Sequence, residues 1–460
     1  MVLTTLGFAD GQPATGQAMA STTVDEEPIS AEALARLDDA ALDWRFKAAP
    51  AEASGQTVRD FLDSAPRLSS LQTPLLTLNA VALRHNMDRL ASWCAEHEVL
   101  LAPHGKTTMA PQLWSEQLNR GAWGISLANF AQLQVARAFG VRRLQLANSL
   151  TDPRAVDWVA GESERGCSIL SWVDSVQTVQ LLARTLEAGH PGVVLDVLVE
   201  LGGEGGRTGA RSGVAALEVA RAVAGADQLR LVGVSGYEGS LAHTASDDSL
   251  TKVNEYLLEL KSLHGELLAD GLYDVADVLL SAGGSAYFDT VVDILGPCIT
   301  RAGSSVGGRR VDLLIRSGAY VIHDDGFYRQ ISPFSRHGSN PFLAAMVGWA
   351  RVVSQPEPGL AILDAGKRDL PVDEGLPQPQ AIGPVLGAPM TPLDGAAITA
   401  VNDQHCYLRF DAGTGTVNIG DVVRLGLSHP CTAMDKWALI PVLAGVDGDQ
   451  TVVDLIRTFF

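Results

Sequence analysis

The sequence predicts an α/β protein: a (β/α)8 barrel followed by a C-terminal, mostly antiparallel β domain. Three observations carry this. From Thr73 onward, short apolar runs alternate with stretches of helical spacing for about 200 residues. Polar residues gather just after those runs, where a parallel barrel builds its site. Beyond about residue 335 the helical spacing disappears and β-type runs separated by Pro, Gly and Asp turns take over.

The predicted barrel strands are the runs 75–78, 99–102, 124–127, 143–147, 168–173, 193–199, 229–234 and 278–281. Between the first two, Leu83, Met87, Leu90 and Cys94 follow an i, i+4, i+7, i+11 pattern that places them on one helix face. Gly121, Gly140, Gly189 and Gly271 close helical stretches where a left-handed residue is wanted. Eight strands alternating with helices read as a closed parallel barrel, with a doubly wound sheet as the alternative. In the second domain, strands are expected at 345–353, 396–401, 406–410, 422–427, 438–443 and 452–456. The resulting division is a flexible tail over 1–42, a segment over 43–72 packing on the β domain, the barrel over 73–334 and the β domain over 335–460.

Composition narrows the function. Of 460 residues, 46% are hydrophobic, enough for a large core without disulfide or metal staples. Net charge is −19, from 34 basic and 53 acidic residues, with no basic block, which argues against nucleic acid or an anionic membrane as partner. No apolar run approaches the ~20 residues of a membrane span. The five cysteines are scattered and odd in number, unlike a disulfide framework, and no secretory leader pattern opens the chain. A cytoplasmic enzyme is expected.

Four motifs carry chemistry. Pro103-His104-Gly105-Lys106-Thr107-Thr108 follows the second run. It is no P-loop, because Leu100 stands where that motif needs glycine. A lysine at a barrel mouth can instead be desolvated, lose its proton near neutrality and form a Schiff base. The stretch Gly202–Gly209 is glycine-rich but never fits G-x-G-x-x-G, and its Arg207 could meet an anionic or phenolic oxygen. Ser281-Ala282-Gly283-Gly284-Ser285 closes the last predicted strand with two glycines and two hydroxyls, the makings of an anion nest. Finally, in extended chain His429 and Cys431 face the same side and could share a soft cation. Adjacent His405 and Cys406 could not. Two protein ligands leave coordination positions open, as a catalytic metal requires.

In order, these pieces resemble the fold-type III pyridoxal-phosphate enzymes, whose architecture is alanine-racemase-like. Within that group they are most similar to the metal-dependent D-serine dehydratase and D-threonine aldolase family. The likeness runs from Thr73-Pro74 through the Lys106 motif, Arg207-Thr208-Gly209, Gly236-Tyr237-Glu238-Gly239, Gly283-Gly284-Ser285 and Gly318-Ala319-Tyr320 to His429-Pro430-Cys431. Ala102, Thr108 and Met109 depart from the usual family residues and resemble a bacterial subgroup described as amino-acid deaminases.

The resemblance implies pyridoxal 5'-phosphate bound to Lys106 as the catalytic Schiff-base lysine. Arg207, Tyr237, Ser281, Gly283, Gly284, Ser285 and Tyr320 would contact the cofactor. Zn2+, or another divalent metal, would sit on His429 and Cys431. It implies a homodimer and a small D-amino-acid substrate of the D-serine or D-threonine type, dehydrated and deaminated to a 2-oxo acid and ammonia. The alternatives are a D-threonine-type aldolase, a racemase and a non-catalytic pyridoxal-phosphate-binding module.

Overall fold

The computed structural model describes residues 27–301, 303–338, 340–413, 417–445 and 447–460; residues 1–26, most of the predicted tail, lie outside them. The strands are β1 Leu75–Asn79, β2 Leu100–Leu101, β3 Ile125–Leu127, β4 Arg143–Ser149, β5 Ser168–Val173, β6 Leu195–Leu201, β7 Leu229–Gly236, β8 Asp277–Ser281 and β9 Arg310–Ile315. The C-terminal region adds β10 Met346–Glu357, β11 Leu360–Leu363, β12 Gln378–Gly383, β13 Thr391–Pro392, β14 Ala397–Val401, β15 Cys406–Arg409, β16 Val422–Gly426, β17 Leu439–Leu443 and β18 Val452–Arg457.

Eight strands form one parallel sheet in the order β2-β9-β8-β7-β6-β5-β4-β3. A parallel bridge between His104 and Ser126, with the Trp123 and Ser126 N–H groups donating to Leu101 O and Pro103 O, joins its two ends. The barrel is therefore present, but with one strand exchanged. The run at 75–78, predicted as its first strand, lies in the other sheet. There β1 pairs antiparallel with β10 and parallel with β17. The eighth barrel strand is β9, which the sequence reading did not assign. The reason for the exchange is local: all five residues of β1 are buried. A strand covered on both faces gives the same unbroken apolar run in a mixed sheet as in a barrel.

β1 leads directly into the barrel's first helix, Ala80–Glu96, capped by the Asn79 side chain accepting the Ala82 N–H at 2.8 Å. Leu83, Met87, Leu90 and Cys94 form its buried face, as their spacing predicts. Gly121, Gly140 and Gly271 adopt positive φ after their helices. Gly189 instead ends its helix, and the left-handed residue is Gly192.

In the second sheet the order is β13-β12-β16-β10-β1-β17-β18, with β11, β15 and β14 branching from β10. β11, β12 and β13 are additions to the predicted set. β12 carries two prolines' worth of neighbouring sequence and little apolar alternation, and β13 is only two residues long.

Inside the span read as a flexible tail, Ala31–Asp38 is a helix, because Ser30 caps it through the Ala33 N–H at 3.1 Å and Ile29, Ala33 and Leu34 are buried. Residues 43–72 touch the C-terminal sheet. Leu68 N–H donates to Gln450 O and Val452 N–H to Pro66 O, both at 2.8 Å. Lys47 pairs with Asp369 at 2.9 Å. Among the described residues no helix is long and apolar enough to cross a membrane.

Because β1 links the sheets through a fully buried side chain, Leu78→Ala should cost about 2–5 kcal/mol of stability in denaturant melts. A loss below about 0.5 kcal/mol, the range of a surface substitution, would contradict the placement of β1.

Candidate active site

Lys106 lies in a single 3-10 turn, Gly105–Thr107, just past β2 at the carboxyl end of the barrel. Two glycines let that turn sit where it does. A Cβ on Gly105 would lie 2.7 Å from Ile125 Cγ2 and 2.9 Å from Trp114 Nε1. A Cβ on Gly318 would lie 2.6 Å from His104 O and 2.9 Å from Thr107 Oγ1. The lysine turn is thus wedged between the second helix of the barrel and the loop after β9.

Burial lowers the Lys106 amine below the usual lysine range, and the positive Arg207 and Arg316 push the same way against the opposing pull of Cys431. Its neighbour His104 is held well below the usual imidazole value by burial and then by Lys106, Arg316 and Arg207. His104 Nδ1 is buried with no partner. The surroundings of the turn thus shift both the amine and the imidazole toward their neutral forms.

His429 and Cys431 come from the other domain. Their side chains lie close enough to interact, but the chain between them is not extended. His429 is left-handed, with φ of 62°, and caps the short helix Pro430–Met434. His429 Nδ1 meets Asp373 Oδ2 at 2.5 Å, and Thr432 Oγ1 donates to the other Asp373 oxygen at 2.6 Å. Burial disfavours the charged imidazole, yet Cys431 and Asp373 prevail and raise it to about 9. A spot that stabilises positive charge this way suits a cation. A carboxylate on one ring nitrogen is also the usual outer partner of a metal-binding histidine. His429 and Cys431 thus fit as two donors, with Asp373 orienting the first. Among the described residues no cluster of three or more His, Cys, Asp or Glu is arranged to hold a metal ion. His405 and Cys406 diverge as expected, one exposed and one fully buried.

The two halves meet. The Cys431 thiol donates to Thr107 Oγ1 at 3.5 Å, which puts the His-x-Cys helix beside the lysine turn. The Tyr328 phenol shares this space. Burial raises it well above its ordinary value, and Cys431, Tyr237 and Asp324 add to the effect.

The remaining candidates separate. The exposed Arg207 guanidinium lies 4.9 Å from the centre of the Tyr237 ring, and both belong to the mouth. Ser285 Oγ accepts the Ala319 N–H at 3.1 Å. The nest of Gly283 and Gly284 is formed, but its anion is internal. Their N–H groups donate to Glu238 Oε2 at 3.1 Å and Oε1 at 2.7 Å. Ser281 ends β8, but its side chain is turned inward. Its hydroxyl is fully buried, receiving Arg316 Nη1 at 2.6 Å and Gln145 Nε2 at 3.0 Å. Tyr320 turns outward into the helical layer, where Gln117 Nε2 donates to its hydroxyl at 2.9 Å. The hydroxyls of Ser281 and Tyr320, expected as cofactor contacts, are thus engaged by protein partners.

Beneath the mouth, Arg316 is buried in the barrel lumen. It donates to Gly236 O at 2.5 Å and lies 5.0 Å from the Trp172 ring centre. Glu200, at the end of β6, accepts the Thr208 hydroxyl at 2.9 Å, while its Oε2 is buried without a partner. Burial raises its carboxyl to about 7, with Asp174 adding and Thr208, Arg316 and Arg207 opposing. Glu238, Arg316, Glu200, Tyr328 and Asp373 were not predicted as site residues. Only Glu200 and Glu238 gave any sequence signal, standing beside predicted strand ends or motifs.

As to the cofactor, Lys106, Arg207, Tyr237 and Ser285 fit pyridoxal phosphate: a desolvated amine for covalent attachment, a cation, a ring and a hydroxyl. Gly283 and Gly284 do not offer it their amides while Glu238 holds them.

Residues 345–443 match the family model described as "Putative serine dehydratase domain". The chain is 25% identical over 362 residues to a D-threonine aldolase of Arthrobacter sp., spanning 79% of this chain and 86% of that protein. It is 26% identical over 377 residues to a 3-hydroxy-D-aspartate aldolase of Paracoccus denitrificans, spanning 80% and 88%. Among solved structures it resembles D-threonine aldolase from Filomicrobium marinum, with TM-score 0.69 and 22% identity over 85% of this chain and 96% of that one. A metal-free Cys-to-Ala variant of D-threo-3-hydroxyaspartate dehydratase gives TM-score 0.66 and 20% identity over 86% and 99%. An alanine-racemase-like protein from Idiomarina loihiensis gives TM-score 0.64 and 15% identity over 83% and 97%.

By fold this chain is alanine-racemase-like. Its residues 345–443 match the putative serine dehydratase domain, and the chain is similar to D-threonine and 3-hydroxy-D-aspartate aldolases.

Glu200 supplies a pH test. Its folded value of about 7 lies above the ordinary 4.5, so the native state holds the proton longer than the unfolded chain. The stability this confers is complete below pH ~4.5 and is lost as pH rises through ~7, about 3 kcal/mol in all. Denaturant melts of Glu200→Gln should lack this decline between pH 5 and 8. An identical decline in the variant would contradict the assignment.

Proposed function

We propose that this chain is a pyridoxal-phosphate- and zinc-dependent lyase acting on a β-hydroxy D-amino acid, and that it dehydrates and deaminates that substrate to a 2-oxo acid and ammonia. The observation that carries this reading is the convergence of the desolvated Lys106 amine with the His429–Cys431 pair, bridged at Thr107.

In this reading Lys106 holds the cofactor covalently, Arg207 and Tyr237 contact it, and Ser285 lies near its anionic end. Bound there, pyridoxal phosphate supplies a conjugated ring that accepts the electron pair left at Cα. Lys106 would also serve as the base of the site. Burial, which lowers its proton affinity, would favour the neutral amine that can take the Cα proton. His429 and Cys431 would hold zinc or another divalent cation, whose chemistry there is Lewis-acid binding of the β-hydroxyl. Asp373 keeps the imidazole oriented for that task through its 2.5 Å hydrogen bond.

Dehydration is preferred over Cα–Cβ cleavage because Cys431 is a thiol. The resemblance associates a carboxylate at this position with aldolases. Two of the solved D-threo-3-hydroxyaspartate dehydratase structures are alanine variants of a histidine and of a cysteine two positions further along, the second of them metal-free. That spacing is the spacing of His429 and Cys431. The aldolase reading is favoured by the curated relatives, which are a D-threonine aldolase and a 3-hydroxy-D-aspartate aldolase.

Incubating the holoenzyme with D-serine, D-threonine and D-threo-3-hydroxyaspartate tests this. A 2-oxo acid and ammonia are expected, whereas glycine and an aldehyde would make the chain an aldolase. In Cys431→Ala, bound zinc should be lost and turnover should fall by about 100-fold or more, with pyridoxal phosphate still bound. Full zinc content in that variant would remove Cys431 from the metal site.

A further inference from the structure

The seam between the barrel and the metal helix is closed by one buried carboxylate. Asp324 follows β9, is 1% exposed, and uses both oxygens for backbone donors on two different segments. Oδ1 accepts the N–H groups of Gly326 at 3.0 Å, Tyr328 at 2.9 Å and Arg329 at 3.4 Å, shaping its own loop. Oδ2 accepts the N–H of His429 at 3.0 Å. His429 is the residue held at a left-handed φ, a conformation that costs a non-glycine residue about 1 kcal/mol or more unless something imposes it. Around this bond the seam is completed by Asp325 N–H on Leu427 O at 2.9 Å and Phe327 N–H on Ser428 Oγ at 3.1 Å.

We infer that Asp324 is a positioning residue for the metal pair: by fixing the His429 backbone, it sets the imidazole against Cys431 and brings both to the Lys106 turn, along with Tyr328. This deepens the zinc-lyase reading and rests on it. The chemistry is specific to a carboxylate. Two acceptor oxygens serve two sets of donors, whereas an amide offers one acceptor and one donor. In Asp324→Asn, either the 326–329 loop or the His429 N–H faces an NH2 group and loses its partner.

The test compares zinc affinity of purified wild type, Asp324→Asn, Ser428→Ala and His429→Ala, each loaded with pyridoxal phosphate. Cofactor content, read from absorbance, reports an intact barrel. Asp324→Asn should bind zinc about 10–100-fold more weakly while retaining full cofactor content. Ser428→Ala removes two hydrogen bonds, from Phe327 N–H and to Glu374 O, without touching the His429 N–H, and should bind zinc as wild type does. Unchanged zinc affinity in Asp324→Asn, or an equal loss in Ser428→Ala, would overturn the role of Asp324. Zinc binding unaffected by His429→Ala would overturn the metal site itself, and with it this inference. Should Asp324→Asn not fold, a crystal structure of zinc-loaded wild type decides. The inference requires the His429 N–H on Asp324 with zinc on His429 and Cys431, and an N–H turned away from Asp324 would refute it.

Discussion

A five-residue strand in the wrong sheet makes the site possible. β1 is covalently the start of the barrel, yet it is paired between β10 and β17 of the C-terminal sheet. Its register, with Leu78 opposite both Met346 and Val442, fixes one sheet against the first barrel helix before any site residue is considered. Because β-pairing is discrete and a one-residue slip would swap the side chains packed on the two covered faces, the pairing of β1 sets how the two sheets meet. The seams at Thr107–Cys431 and Asp324–His429 then need only short-range hydrogen bonds to finish the alignment.

Within the barrel, charge is organised from below. Arg316 is a cation in the lumen, where burial disfavours its charged form, and it is retained by Ser281, the Gly236 carbonyl and the nearby acids Glu238 and Glu200. An arginine with its hydrogen bonds met can keep its charge in such a place, because its planar fork is always protonated and weakly hydrated. Its field reaches Lys106 and His104, favouring the neutral amine and imidazole. Ser281 is thus indirectly part of the chemistry: it anchors the arginine that tunes the lysine. Glu238 plays the matching role for the glycine turn, supplying the anion that holds Gly283 and Gly284 in place.

Much of this was legible in the chain. The barrel rhythm, the change of texture near residue 335, the lysine after β2 and the His-x-Cys spacing are local patterns, and local patterns survive in sequence. What stayed hidden is non-local. β1 and β9 could not be sorted between sheets because burial on both faces erases the alternation that would distinguish them. Asp324 and Asp373 meet His429 from 105 and 56 residues away, so nothing near the motif announces them. The pairing of His429 with Cys431 was expected from an extended backbone and is achieved by a left-handed residue and a helical turn. Tyr320 and Ser281 sit in motifs that do approach the site, but their side chains point into the helical layer and the lumen. A motif gives the path of the backbone and leaves the direction of each side chain to packing.

The account depends on Lys106 being the one amine desolvated enough, and placed well enough, to bind the cofactor covalently. The most direct test is borohydride reduction of the holoenzyme followed by peptide mass mapping. A pyridoxyl-phosphate adduct on the peptide containing Lys106, and on no other lysine peptide, is the predicted result. An adduct elsewhere, or none in protein saturated with pyridoxal phosphate, would contradict the placement of the reaction at this barrel mouth.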